Sequence, residues 1–311
     1  MPRRPKPKSS RLTDALLLLA LIAAIGLAFA PRADIERFLE QRTASAPAPV
    51  TAMAGGDDLR VCSFNIRVFS NKSRDDNELD YITNLLEPCD ITAIQELRDE
   101  DVLRRTVALL ERRGYPAAYD ISAPVGRGVK ERYAFLYRAD KVAQTTPGQL
   151  YPDERDEFIR EPYFASFRAG AFDFTLLTIH LLYGKSESER RPELEHLAKV
   201  YEYAQNADAG EQDIILLGDF NFGPDDRGWS NLNRLPTMTA LLNDPVRTTV
   251  TDTSLYDNFW FETRYVREYT GQVGVWNFDE TMFGNDDNRA KLAVSDHRPI
   301  WALFSTTEDD D

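Results

Sequence analysis

The chain is short of cysteine, of histidine and of positive charge. It has two cysteines, Cys62 and Cys89, in 311 residues. Two cysteines cannot build a disulfide framework. Both lie in apolar runs and are read as buried free thiols. Lys and Arg number 37 against 51 Asp and Glu, for a net charge of −14. The first 30 residues hold five basic residues (Arg3, Arg4, Lys6, Lys8, Arg11) and one acid, Asp14, so the rest of the chain stands at −18. A body that acidic excludes a passive, electrostatically sticky nucleic-acid binder. If it handles phosphates, metal ions must supply much of the positive charge. No fixed-period repeat is visible. A content of 42% hydrophobic and 11% aromatic residues excludes a disordered or fibrous chain. The length suits one large domain or two small ones.

Long apolar runs are confined to residues 15–30 (ALLLLALIAAIGLAFA), which follow a basic, Pro-rich stretch. Sixteen helical residues span about 24 Å, short of the roughly 30 Å of a bilayer's hydrocarbon core. That length lies between a signal-peptide core and a membrane helix. Ala28-Phe29-Ala30 has the form of a cleavage site, but Pro31 follows directly, so a cleaved signal and an uncleaved anchor both stay open. The basic flank predicts a cytoplasmic N-terminus with everything after it exported. The protein is then periplasmic or extracellular, and held at the membrane by residues 12–30 if uncleaved. Residues 31–57 read as a linker, ending in the small, unpatterned ASAPAPVTAMAGG. A folded domain is expected over 58–305, followed by an acidic tail at 306–311.

Within the domain, strands and helices alternate. Leu59–Phe69 and residues 90–95 read as strands. Residues 78–86 read as an amphipathic helix. A second helix is capped by Asp101 and stopped by Gly114. Further strands are expected at 132–138, 163–169, 172–179, 213–217, 257–262 and 293–304, with one long helix over 187–206. The tight turn at Gly170 implies a hairpin beside strand–helix–strand units, so a mixed sheet or two packed sheets are expected.

Five polar breaks interrupt these apolar strands: Asn65, Gln95-Glu96, His180, Asp219 with Asn221, and Asp296-His297. One carboxylate after a strand is ordinarily a cap or turn former. Five together form a set of hard oxygen donors (Glu96, Asp219, Asn65, Asn221, Asp296) that suits Mg²⁺. Two of the three histidines, His180 and His297, follow apolar strands and are positioned to move protons near neutral pH. His196, inside ELEHLAKVYEYA, reads as a helix-surface residue.

The segments SFNIR (63–67), QELRD (95–99), KERYAFLYR (130–138), IREP (159–162), IH (179–180), GDFN (218–221), YDNF (256–259) and SDHRP (295–299) resemble, in order, the endonuclease/exonuclease/phosphatase superfamily. QELRD, ERYAFLYR and IREP narrow the resemblance to its deoxyribonuclease I branch. The resemblance implies a four-layer α/β/β/α sandwich of two mixed, mainly antiparallel sheets, with the active site at one edge of both. It implies Glu96 as the main metal carboxylate, with Asn65, Asp219, Asn221 and Asp296 completing or orienting the metal and phosphate site. It implies two histidine–carboxylate pairs, His180 with Glu131 and His297 with Asp257, and backbone-contacting arginines Arg98, Arg160 and Arg67. The cofactor implied is Mg²⁺ or Mn²⁺. The acidic loop Asp153, Glu154, Asp156, Glu157 lies where family members hold a structural Ca²⁺, and reads more simply as a solvated loop.

Three departures from the branch stand out. Asn258 follows Asp257 where Arg is more usual, the loop 126–129 is short and lacks a groove-contacting tyrosine, and the disulfides of animal members are absent. The expected activity is a metal-dependent, weakly sequence-specific DNA endonuclease leaving 3′-hydroxyl and 5′-phosphate ends, with His297 as base and His180 as acid. The alternatives are a phosphodiesterase acting on a lipid or small phosphate ester, for which the aromatic stretch 256–269 offers a contact surface, and a degenerate binding module. A nucleic acid is the expected partner, with no protein partner inferable, and a monomer is expected.

Overall fold

A computed structural model describes residues 58–184, 186–207 and 210–309. The signal or anchor segment and the linker fall outside the described residues. No helix among those described is long and apolar enough to cross a membrane.

Two six-stranded sheets pack face to face, with helices on both outer sides. The first sheet holds β1 (Asp58–Phe69), β2 (Ile91–Leu97), β3 (Ala117–Ile121), β4 (Arg132–Arg138), β11 (Tyr269–Val275) and β12 (Ile300–Ser305), in the order β11-β12-β1-β2-β4-β3. The second holds β5 (Ala143–Leu150), β6 (Tyr163–Ala169), β7 (Phe172–His180), β8 (Ile214–Asp219), β9 (Met238–Ala240) and β10 (Asp257–Glu262), in the order β5-β6-β7-β8-β10-β9. Each sheet has one parallel pair, β1 with β2 and β7 with β8, among antiparallel neighbours. A helix makes each of those crossovers: α1 (Asp76–Leu86) in the first sheet and α3 (Glu187–Ala207) in the second. α2 (Glu100–Arg112), α4 (Phe278–Phe283) and α5 (Asp287–Ala293) complete the outer layer of the first sheet.

Three apolar layers hold the sandwich together. Leu59, Val61, Phe135, Phe167, Leu217 and Phe259 fill the space between the sheets. Leu79, Ile82, Leu103 and Leu110 seat the helices on the first sheet, and Leu194, Leu197, Val200 and Tyr201 seat α3 on the second. Burial of a Leu- or Phe-sized side chain contributes roughly 1.5–3 kcal/mol, so the three layers supply the dominant stabilising term.

Local chemistry sets the helix starts. Asp75 opens α1 through a capping box with Glu78, its Oδ1 accepting from the Glu78 N–H at 2.9 Å. α2 is capped by Asp99 rather than Asp101, because the Asp99 carboxylate reaches the Val102 N–H at 2.9 Å. The expected strand 293–304 is also corrected. Residues 287–293 are helical, and the strand starts at Ile300.

The cysteines are not free. Cys62 on β1 is disulfide-bonded to Cys89, just before β2. An apolar setting suits a buried disulfide as well as it suits a buried thiol. The parallel register of β1 and β2 brings the two Cα atoms to 6.0 Å across 27 residues of sequence.

Candidate active site

Strand register assembles the site. In the second sheet the parallel pairing of β7 and β8 sets His180 opposite Asp219, and the antiparallel pairing of β8 and β10 sets Asp257 opposite Asp219 on the other side. Gly218, at φ 145°, makes this approach possible. A Cβ there would meet the Ile179 carbonyl oxygen at 2.2 Å. The first sheet faces this row with Asn65, whose Nδ2 donates to Asp219 Oδ2 at 2.9 Å. β1 is irregular beyond Asn65 as it runs along β2, and irregularities of this kind re-aim side chains at functional edges. Val68, Glu96 and Asn221 all adopt left-handed φ values of 46°, 59° and 53°. Each such non-glycine residue costs about 1–3 kcal/mol, and strain of that kind collects at sites the surrounding fold over-determines.

Each histidine is backed by a carboxylate. His180 Nδ1 is 3.0 Å from Glu131 Oε2, and His297 Nδ1 is 2.9 Å from Asp257 Oδ2. Both Nε2 atoms point at Asp219 Oδ2, each at 3.5 Å. The loop that carries His297 is tied down by Ser295, whose hydroxyl donates to the Asn65 carbonyl at 2.6 Å and accepts the His297 N–H at 3.1 Å. Thr248 Oγ1 accepts the backbone N–H of Asp257 at 3.1 Å, and Tyr133 accepts that of His180 at 3.1 Å.

The electrostatics differ between the two pairs. Burial raises the Glu131 carboxyl, but the hydrogen bond and charge of His180 and the Arg160 guanidinium pull it down to about 2. Burial pushes the Asp257 carboxyl up. For His297, burial opposes its charged form, yet the negative charge of Asp219 and Asp257 wins and holds the imidazole well above its usual value.

The cluster offers hard donors to a cation. Asn65 Oδ1 and Asp257 Oδ1 are buried and have no hydrogen-bond partner. Ligand atoms of Asp219, Asp257 and His297 all lie within 4.8 Å of one another. The residues present therefore fit a divalent ion that prefers oxygen.

The Endonuclease/Exonuclease/phosphatase family matches residues 62–297. The chain belongs to that family. It is 31% identical over 273 residues to a deoxyribonuclease of Thioalkalivibrio sp. (strain K90mix), covering 82% of this chain and 73% of that protein. It is 32% identical over 263 residues to deoxyribonuclease-1 of Equus caballus, covering 78% of this chain and 90% of that protein. Among solved structures, TDP2 of D. rerio complexed with single-strand DNA product shares the fold at 18% identity and a TM-score of 0.58, covering 80% of this chain and 99% of that one.

Within this family framework the remaining expected residues occupy distinct places. Glu96 closes β2 and accepts the Val68 N–H at 2.9 Å, with Arg98 beside it at 3.4 Å. Asp296 pairs with Lys291 at 2.9 Å. Among the described residues, neither acid forms a hydrogen bond or ion pair with Asp219. Asn221 donates its N–H to Asp219 Oδ1 and its side-chain amide to the Leu181 carbonyl, both at 2.9 Å. Arg67 is half-exposed at the rim. Arg160 is committed inward, bound to Glu131 and to the His180 carbonyl at 2.9 Å. Asn258, where an arginine is more usual, clamps Leu242 by both backbone groups at 2.9 and 2.8 Å.

His196 lies half-buried on α3, 3.6 Å from Glu157. In the acidic loop, Asp156 pairs with Arg127 and Glu157 with Lys199, and Asp153 caps the Phe158 N–H. Sequence reasoning missed Ser295, Thr248, Tyr133 and Glu193. Glu193 gathers the N–H groups of Ile159 and Leu182 at 2.6 and 2.7 Å, fixing two site loops at once. Ser295 and Tyr133 had a signal, lying within the SDHRP and KERYAFLYR segments, while Thr248 and Glu193 act through backbone contacts that no motif marks.

Proposed function

We propose that the chain is an exported, metal-dependent DNA endonuclease of low sequence specificity that leaves 3′-hydroxyl and 5′-phosphate ends. The observation that carries this reading is the convergence of two histidine–carboxylate pairs on the single carboxylate of Asp219. That is the apparatus a phosphodiester needs, one proton acceptor for water and one proton donor for the leaving oxygen. The relatives named as deoxyribonucleases, about 30% identical over most of the chain, favour DNA among phosphodiesters.

Asn65 and Asp219, which meet in the cluster, would hold the ion, Mg²⁺ or Mn²⁺, while Glu96 and Asp296, bound elsewhere in this structure, are assigned to it by the family resemblance. When bound, it supplies positive charge to the phosphoryl group and offsets the local carboxylates. An ion bound there would, by offsetting those carboxylates, favour the neutral form of His297 that can accept a proton. Its Nε2, oriented by Asp257 through Nδ1, takes the proton of the attacking water. His180, oriented by Glu131, delivers a proton to the leaving oxygen. Arg160 keeps Glu131 ionised, and Arg98 and Arg67 at the rim contact the nucleic-acid backbone. The Cys62–Cys89 disulfide supports export, since such bonds persist in oxidising compartments.

The centre of the aromatic stretch offered to the lipid or small-ester alternative is core, while Tyr256, Tyr265 and Tyr269 stay partly exposed. Phe259, Trp260 and Phe261 are core residues of β10, none more than 2% exposed. The deciding experiment mixes full-length, EDTA-treated protein with supercoiled plasmid, with and without Mg²⁺, beside His297→Ala. Metal-dependent nicking that disappears in the variant establishes the endonuclease. No nicking by folded, metal-loaded protein moves the assignment to a small phosphodiester.

A further inference from the structure

Two open clefts flank the catalytic cluster on the side of the second sheet's loops. The nearer, of about 430 Å³, runs from Asn221 and Tyr256 to Arg190, Arg191 and Arg227. The other, of about 510 Å³, continues past Gly223 and Tyr256 toward Arg247. Neither contains the histidines. The two clefts adjoin at Gly223, Asp225 and Tyr256, and neither is lined by Arg67 or Arg98.

The charges in the nearer cleft are not equivalent. Arg191 is fully engaged, with Asp226 at 2.8 Å and Glu187 at 3.0 Å, two of the three acids lining the cleft. Asp225 and Arg227 are exposed neighbours of opposite sign. Arg190 is different. Its guanidinium carbon sits 4.8 Å from the ring centre of Phe222 and 5.3 Å from that of Tyr183, and Tyr183 is itself 68% exposed. Its Nε and Nη1 are buried with no hydrogen-bond partner, so an anion in the cleft meets the guanidinium's charge and Nη2. Among the described residues, Arg190 has no ion-pair partner either.

A guanidinium packed against two aromatic rings, with no acid paired to it, presents a fixed positive charge and one donor to an anion in the cleft. Phe222 follows Asn221 directly, so this charge rests on a residue next to the catalytic cluster. We propose that Arg190 is a backbone-phosphate contact that grips the nucleotide next to the scissile bond, making the site prefer a polymer over an isolated diester. This rests on the nucleic-acid reading above. With Arg67 and Arg98 on the opposite loops, it makes the strand cross the site from one sheet's loops to the other's.

The test follows cleavage of one duplex DNA by the full-length protein with Mg²⁺, between about 50 and 200 mM salt. Arg190→Gln lowers kcat/KM roughly tenfold at the low-salt end, the loss of a charge-assisted hydrogen bond. It also makes the plot of log kcat/KM against log salt shallower by about 1, the mark of one phosphate contact removed. Arg190→Lys keeps the slope, because the charge remains. If Arg190→Gln folds poorly, Arg190→Met keeps an uncharged stem on Phe222 and shows the same slope change. An unchanged slope in the uncharged variants, with or without lost activity, overturns the proposal and leaves Arg190 a packing residue. A wild-type protein that cuts no polynucleotide overturns the nucleic-acid reading, and this inference with it.

Discussion

His180 and His297 address the same atom, Asp219 Oδ2, from opposite sides and at the same distance of 3.5 Å. The site is therefore symmetric about one carboxylate, with Glu131 and Asp257 as the outer members of a five-residue row. Neither imidazole can move without disturbing the other's partner.

Removing either ring should be nearly as harmful as removing both. His180→Ala and His297→Ala are each expected to lower kcat by roughly 10²–10⁴. The double variant should lose little beyond the worse single, because groups acting as a unit are not additive. Plasmid-nicking rates with matched melting curves check this. Losses that multiply would show that the two histidines act independently.

In metal-free protein His297 should titrate above its ordinary value of 6.5, raised by Asp219 and Asp257 against the effect of burial. Its folded-state pKa then exceeds its unfolded one. The stability it contributes is complete below about pH 6.5 and is lost as pH rises through the folded-state value. Imidazole resonances followed by NMR in EDTA decide the matter. A His297 resonance with its midpoint at or below 6.5 contradicts the claim.

The disulfide closes 27 residues of sequence and ties β1 to the end of α1. Chain-entropy arguments assign such a loop roughly 3.5 kcal/mol. Reduction, or the pair Cys62→Ala and Cys89→Ala, should lower the melting temperature by several degrees. Identical melting with and without reductant would rule the contribution out.

Arg298 is 2% exposed and donates to both oxygens of Asp279, with a third contact to Asp252 at 2.6 Å. Its N–H also reaches the Thr248 carbonyl at 2.6 Å, one residue from His297. Asp279→Ala should cost about 3–5 kcal/mol, because it strips a buried charge of its main partner. Arg298→Met with Asp279→Leu should restore stability, since buried ion pairs are often replaceable by apolar groups. The restored protein should still cut DNA more slowly than wild type, because the side-chain clamp beside His297 is gone and only the Ser295 and backbone bonds hold the loop. Denaturant melts and nicking rates, read together, separate the two effects.

The candidate cluster was legible at Asn65, His180 and Asp219, where polar residues interrupt apolar strands, and such breaks need no tertiary information to notice; Glu96 is a break of the same kind that does not join the cluster. The layered fold followed from strand–helix–strand segments beside hairpins. What stayed hidden were the edges. β5 reads AQTTPGQL and β11 reads YTGQVGV. Edge strands bury little, carry Pro and Gly, and lose the alternation that identifies a strand. The disulfide was hidden for a related reason, since only the register of two strands brings Cys62 to Cys89. The roles of Thr248 and Glu193 depend on backbone groups of residues 9 and 34 positions away, beyond any local pattern.

The order of the strands has a consequence for biosynthesis. The first sheet is made from the two ends of the domain, β1 to β4 and then β11 and β12, while the second comes entirely from the middle. β12 pairs with β1 near the centre of its sheet, and His297 lies three residues before β12 begins. A chain still on the ribosome, or one cut short of residue 300, lacks the strand that seats its last catalytic loop. Such a chain is expected to be inactive until β12 has paired with β1.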